Sequence, residues 1–248
     1  MGKFKDHFSG HADKYVSARP RYPDNFFEWL SSQSVAHELA WDVGCGNGQA
    51  SIGLAMHFRR VVASDPSEAQ IRNAIPHPRI DYRVQAAESS DLPKESVDLL
   101  LVAQALHWID LDVFYGCAMP ALKPGAIFVA CCYGASVVSP KVDSLFLRLY
   151  GDTLGRFWPP ELAHIENAYS NLVLPCNDTL EPPALCLEVE WTAGQYLEYF
   201  RSWSATQRYL RATGVDPVAA IEDELCEAFG DASRIVSWPL TIKACRKP

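Results

Sequence analysis

The sequence lacks any apolar run approaching the roughly 18 residues that a membrane-spanning helix needs. Its opening stretch, MGKFKDHFSGHADKYVSARPRYP, has no apolar centre of the kind a secretory signal carries, and Asp6 and Asp13 set it apart from acid-poor transit peptides. Asp6 also stands where a myristoylation signal needs Ser or Thr. These absences predict a soluble cytoplasmic protein with no membrane partner. Cysteine occurs eight times, but never as C-x-x-C and never with histidine at zinc-site spacing. The expectation is therefore no metal, and cysteines that serve as small buried hydrophobes in a reducing compartment. A basic excess is missing too: 22 Lys and Arg face 30 Asp and Glu, a net charge of −8. That balance weighs against nucleic acid as the main partner. Internal repeats, low-complexity tracts and clear interdomain linkers are also absent.

What is present is an ordinary globular balance, 48% hydrophobic and 21% charged over 248 residues, enough to bury a full core. Residues 24–37 read as a helix that Asp24 can cap, with Phe26, Phe27, Trp29 and Leu30 on its apolar face. Short apolar runs then alternate with helical segments. Strands are predicted at 38–43, 60–65, 80–85, 96–104 and 126–132, and helices at 48–58, 67–75 and 110–125. Such alternation predicts an α/β fold, a Rossmann-like, doubly wound, mostly parallel sheet whose ligands bind at the carboxyl ends of its strands. The second half is less regular. Residues 140–155 and 194–212 look helical and 156–184 irregular, while LCLEVEWT alternates like a strand. A helix near 217–229 and a strand over 234–245 could close the sheet. The whole reads as a single domain: 1–37 an N-terminal lid and helix, 38–139 the cofactor-binding core, 140–212 a helical and aromatic cap insertion, and 213–248 a closing helix and strand.

The stretch WDVGCGNGQAS carries the chemistry. Gly44, Gly46 and Gly48 follow a strand, as in the dinucleotide fingerprint G-x-G-x-x-G, and Asp65 ends the next strand about 20 positions on, where a carboxylate accepts from ribose hydroxyls. The third glycine comes one residue early, with Gln49 in the fingerprint's last position. Asp42 decides between ligands. A pyrophosphate brings negative charge to this loop and the helix start behind it, and an adjacent carboxylate opposes it. S-adenosylmethionine also carries adenosine but replaces the phosphates with a sulfonium and an amino acid. Its ammonium group suits a nearby carboxylate, so the loop fits a cationic nucleoside better than NAD.

DVGCGNG followed by VVASD resembles the first motif and its acidic partner in class I S-adenosylmethionine-dependent methyltransferases; AQALHWID (103–110) and LKPGAIFVA (122–130) are similar to later motifs. HADKYVSARPRYP, AQALHW, FWPPE and RSWSATQRY resemble the small-molecule branch that includes trans-aconitate methyltransferases. The resemblance implies the class I methyltransferase fold, S-adenosylmethionine as cofactor and S-adenosylhomocysteine as product. It places Asp42 and the Gly44–Gly48 backbone, with Cys45 and Gly46, around the methionine moiety, Asp65 on the ribose with Pro66 and Ser67 beside it, and Ala87 and Glu88 along the adenine. Many relatives have an acidic residue where Ala86 stands, so adenine would be met here by backbone or by Glu88. Gln104 and Ala105 would border the cofactor, His107 and Trp108 would face the methyl group or its acceptor, and Tyr15, Arg19 and Tyr22 would fold over as a lid. Candidate acceptor residues are Tyr22, Tyr133, Trp158 and Trp203, with Trp191 and Tyr196 in the same aromatic set.

The dull readings stay open beside these. His107 and Trp108 can be simple packing; His107 can also be a general base, since an ordinary imidazole titrates near neutrality. The aromatics of the second half can be core. Arg19, Arg21, Arg201 and Arg208 can be solvated charges, or one or two can grip a substrate carboxylate, Arg19 foremost. The expected reaction is methyl transfer to a small-molecule acceptor, a carboxylate oxygen of an organic acid being one candidate. The N-P-P-Y signature of enzymes that methylate amino groups of nucleic-acid bases is missing. Rival readings are an idle S-adenosylmethionine-binding regulatory module and a nicotinamide oxidoreductase, the latter opposed by Asp42 and the displaced glycine.

Overall fold

The structure, a computed structural model, describes residues 20–248. Tyr15, Arg19 and most of the expected lid lie outside the described residues. The chain enters through α1 (Asp24–Gln33), which has Pro23 at its cap and Asp24 in its first turn. The helix stops before the expected end because Ser34 turns extended, at ψ 132°. The nucleotide-binding half then follows as β1 (Leu39–Val43), α2 (Gln49–His57), β2 (Arg60–Asp65), α3 (Glu68–Arg72), β3 (Ile80–Val84), β4 (Val97–Ala103), α4 (Leu111–Ala121) and β5 (Leu122–Tyr133).

β1 to β5 are parallel, in the order β3-β2-β1-β4-β5. Strand order reverses between β1 and β4, so the loops after these two central strands open side by side at one edge of the sheet. In doubly wound sheets that crevice is the ligand site. Both faces of β1 are covered, which is why it reads as a nearly unbroken apolar run. Ala40 faces the cluster built by Phe26, Phe27 and Leu30 of α1 with Leu54 and Ala55 of α2. Trp41 and Val43 face the opposite cluster, with Phe114 and Phe128. Asp42 shares the face of Ala40 by strand alternation.

At the other end of the same strands a buried carboxylate ties β1 to β4. Asp98 is fully buried; its Oδ2 accepts from the amides of Glu38 and Leu39, each at 2.8 Å, and its Oδ1 meets Lys123 Nζ at 2.6 Å.

The second half continues as α5 (Pro140–Leu147), which runs into a wider turn over Arg148–Thr153, the short α6 (Ala163–Glu166), β6 (Asp178–Leu180), β7 (Leu185–Trp191), α7 (Ala193–Arg201), α8 (Ser204–Thr213), α9 (Glu222–Phe229) and β8 (Arg234–Arg246). β8 runs antiparallel to β5, and both β6 and β7 pair with its other edge. Two strands of the segment 140–212 thus extend the sheet. α7 starts on a reciprocal cap, Thr192 bonding the Gln195 amide and the Gln195 side chain bonding the Thr192 amide. Arg201 at its other end is held by Glu198 and Asp216 at 3.0 Å and Glu222 at 2.6 Å, so it clasps α7 to the approach of α9 and is committed to carboxylates of this chain rather than of a substrate. Among the described residues no helix is long and apolar enough to cross a membrane.

One expectation is corrected. Cys176 and Cys245 form a disulfide across 69 residues, tying the segment before β6 to β8, where only free thiols were expected. Pairing over that distance leaves no local mark in a sequence. In the chain-entropy account a link closing a loop of that length stabilises by about 4 kcal/mol. A Cys176→Ser/Cys245→Ser variant is therefore expected to melt well below the wild type in oxidising buffer. Equal melting temperatures would show that the link contributes nothing to stability.

Candidate functional site

The turn from β1 into α2 is built from glycines held in left-handed backbone, Gly44 at φ 67° and Gly46 at φ 56°. At Gly44 a side chain has no room, since a Cβ there would collide with the methyl of Ala105 in the loop after β4. The two central loops therefore touch through a glycine and an alanine. At Gly46 the situation is opposite: a Cβ would meet only Gln70 Oε1, at 3.9 Å, so the loop's outer face is open. Asp65, ending β2, fixes this loop: its Oδ2 accepts from Gly46 N at 2.9 Å and its Oδ1 from Ser67 N at 2.8 Å. Pro66 leads directly into that second contact. Cys45 is partly buried, and burial, with Asp42 and Asp65 nearby, raises its thiol well above the ordinary range.

Asp42 is fully buried at the carboxyl half of β1. Ser51, one turn into α2, donates to its Oδ2 at 2.5 Å, and its Oδ1 has no partner among the described residues. Burial pushes the carboxyl up to about 7, with Asp65 adding to the shift and Ser51 opposing it. A second orphan lies across the crevice. Gln104 follows β4 with φ 55°, a left-handed conformation that side chains disfavour. Its amide nitrogen donates to the Tyr133 carbonyl at 2.9 Å, while its Oε1 is buried without a partner. Two acceptor oxygens, from neighbouring strand ends, are thus desolvated and unanswered among the described residues. Buried polar atoms are normally paired, so their natural complement is a donor-rich cation brought from outside. The ammonium of a methionine moiety is such a group, and the residues present fit it.

Tyr22 is half-buried, its ring 6.4 Å from that of Tyr133 and its phenol close enough to Asp42 and Cys131 to feel both. Glu88 does not stand loose along the adenine side: its carboxylate accepts from Asp110 N at 3.0 Å and so braces the start of α4. Ala87 beside it is buried, its carbonyl bonded by the Cys117 thiol.

His107 and Trp108 lie in a single tight turn after β4, with ring centroids 4.8 Å apart. His107 is buried, and burial, helped by His164, lowers its pKa to about 3. Its Nδ1 lies 2.9 Å from the hydroxyl of Tyr169.

The aromatic candidates of the second half are packed into one another. Trp203 is buried against Phe146, Tyr199 and Phe200, and half-buried Trp158 packs against it at a tilt, centroids 5.4 Å apart, while donating to the Tyr150 carbonyl. A chain of rings nonetheless reaches the site, from Trp203 through Tyr199 and Trp238 to Tyr133. Trp238 is fully buried with an indole N–H that has no partner among the described residues.

The structure thus brings together Asp42, Gly44, Gly46, Asp65, Gln104, Ala105, Tyr22 and Tyr133; Trp158 and Trp203 connect only through intervening rings. Three residues escaped sequence reasoning. Ser51 carried a signal, as a hydroxyl one turn into the helix that returns past β1. Tyr169 and Trp238 carried none.

A glycine loop and an acidic strand end at the switch point of a doubly wound sheet define a nucleoside-cofactor site on an α/β scaffold. A family model described as a methyltransferase domain matches residues 41–130. A Dictyostelium discoideum relative, provisionally named a methyltransferase, is 31% identical over 99% of this chain and 96% of its own length. A solved structure from Anaeromyxobacter dehalogenans, provisionally named a type II methyltransferase, is 46% identical with a TM-score of 0.86, covering 92% of this chain and 97% of that one. A Haemonchus contortus phosphoethanolamine N-methyltransferase, solved with S-adenosylhomocysteine, shares the fold at 15% identity and a TM-score of 0.52 over 100% of this chain and 61% of its own. The chain belongs to the class I S-adenosylmethionine-dependent methyltransferases.

Proposed function

We propose that this chain transfers a methyl group from S-adenosylmethionine to an oxygen of a small carboxylate acceptor. The observation that carries the cofactor half is the unpartnered Oδ1 of Asp42, buried beside a glycine loop whose outer face is open. When bound, the cofactor supplies a methyl group on a cationic sulfur, already activated for displacement. Asp42 and Gln104 receive the ammonium, the Gly44–Gly46 backbone borders the methionine chain, and Asp65 accepts from the ribose hydroxyls. Tyr22 and Tyr133 shield the same space from water, leaving the protein the tasks of alignment and desolvation.

The acceptor half follows from His107. A histidine whose pKa burial has brought to about 3 is a poor base near neutrality. An acceptor that needs no deprotonation suits that site, and a carboxylate is already ionised at pH 7. The unpartnered N–H of Trp238, against Tyr133, offers a donor in the aromatic wall.

Calorimetric titration with S-adenosylmethionine, S-adenosylhomocysteine and NAD tests the cofactor. Tight binding of the first two is expected, weakened at least about tenfold in Asp65→Ala, because hydrogen bonds to a charged group contribute about 1.5–3 kcal/mol. Binding of NAD alone would overturn the reading. Small di- and tricarboxylic acids, trans-aconitate among them, then test the acceptor. Methyl transfer to amines but to no acid would overturn the carboxylate assignment, and cofactor binding without any turnover would mark an idle binding module.

A further inference from the structure

Tyr169 is buried in a stretch without a sequence motif, between α6 and β6, and nothing in the cofactor site requires it. Its backbone is nevertheless set in an unfavourable state. Ala168 and Tyr169 are consecutive non-glycine residues in left-handed conformation, at φ 51° and 53°. The turn is held by Tyr169 N bonding the His164 carbonyl and Ala168 N bonding that of Ile165, both at 2.8 Å. Further along, the disulfide at Cys176 anchors the same segment to β8. Strain of this kind persists where the surroundings over-determine a position. What this position achieves is a phenol fully buried with its oxygen 2.9 Å from His107 Nδ1.

The proton in that bond can be placed. A phenol has one proton to donate and can accept in return. Tyr169 is fully buried and, among the described residues, Nδ1 is the acceptor within reach of its hydroxyl; taking a proton from Nδ1 instead would leave the phenol's own O–H buried and unanswered, so the proton in the bond is the phenol's. Burial keeps the imidazole neutral, so its own single proton must sit on Nε2. Among the described residues Nε2 has no hydrogen-bond partner.

We infer that Tyr169 is a positioning residue that locks His107 in its Nε2–H tautomer, so that the site offers the methyl acceptor a hydrogen-bond donor and not a base. This rests on the reading of His107 as facing the acceptor, and it narrows the acceptor class. An acceptor is recognised through an oxygen lone pair, as in a carboxylate, and one whose nucleophile must first lose a proton is not served. The donor holds one carboxylate oxygen while the other forms the new bond to the methyl carbon. The electron pair of the broken carbon–sulfur bond stays on sulfur, and no proton changes hands.

Histidine-selective 15N labelling with long-range 1H–15N correlation spectra reads which ring nitrogen is protonated, and His107→Gln assigns the signals. The expected wild-type result is one neutral tautomer at His107, with the proton on Nε2, both free and with S-adenosylhomocysteine. In Tyr169→Phe, which deletes only the hydroxyl, both tautomers are expected, with affinity for S-adenosylhomocysteine unchanged. A proton on Nδ1 in the wild type overturns the inference whether or not the variant folds. So does a Tyr169→Phe spectrum identical to that of the wild type. A protein that keeps the Nε2–H tautomer but ignores S-adenosylhomocysteine would sink the methyl-transfer reading, and with it the donor's role towards an acceptor, while leaving the lock in place.

Discussion

Asp42→Asn is expected to melt several degrees above the wild type at pH 8 while binding S-adenosylmethionine 10- to 100-fold more weakly. The two effects have one origin. Burial raises the Asp42 carboxyl from an ordinary 3.8 to about 7 in the folded protein. Between those values the folded state holds a proton that the unfolded state releases, so stability falls as pH rises through this window. Above about pH 7 the loss is complete, at most about 4 kcal/mol for a shift of about three units. Asparagine removes the charge and keeps an oxygen for Ser51, while its N–H groups, left unsatisfied, take back about 1–3 kcal/mol of the gain. The net is a rise of about 1–3 kcal/mol, or several degrees in a chain of this length. The same charge is what the proposed ammonium contact uses, and a hydrogen bond to a charged group contributes about 1.5–3 kcal/mol. Thermal melts at pH 5 and 8, with calorimetry alongside, check both halves. Most of the variant's advantage should vanish at pH 5, and wild-type affinity should weaken below about pH 7 while that of the variant stays flat. A variant that melts no higher at pH 8, or binds the cofactor as tightly, would contradict this account.

The second large effect concerns stability alone. Asp98→Ala is expected to lose about 3–5 kcal/mol, the usual cost of breaking a buried ion pair by removing one partner. The loss strands the amides of Glu38 and Leu39 and the Lys123 ammonium, which share that carboxylate. Lys123→Met should cost less, because the lysine is partly solvated and the aspartate retains its two amides. Urea unfolding measures both. Since Asp98 sits at the amino ends of the strands and the cofactor loop at their carboxyl ends, cofactor affinity of the folded Asp98→Ala protein should be unchanged. A loss below about 1 kcal/mol would show that solvent or a neighbour takes over the stranded groups.

The half of the chain that was legible is the half whose signals are local. β2 is predicted and found at residues 60–65, because a buried parallel strand writes itself as an apolar run between turn residues. The glycine loop and Asp65 share one short segment and the strand that follows, so their association could be read from spacing. Helix ends were less legible: α9 begins at Glu222, after an irregular run that starts where the helix was expected, near residue 217. The misses are long-range. Tyr169 reaches His107 across 62 residues, and Cys176 reaches Cys245 across 69. Nothing in the neighbourhood of either partner marks the other. Asp98 lies between: a lone acid within SVDLLLVAQ asks for a buried partner without naming Lys123.

The place of β8 in the sheet bears on the order in which this molecule is made. Among the described residues β1 to β5 pair only among themselves and with β8, so the five parallel strands can assemble once residue 133 has emerged. β6 and β7 pair with β8, which comes after them in the chain. On a ribosome delivering a few residues per second, these two strands must wait with unpaired edges until residues 234–246 emerge. Then a single strand closes against β5 on one side and collects both waiting strands on the other. The last part of the sheet to form is thus also the part that sets Trp238 beside Tyr133, at the end of β5.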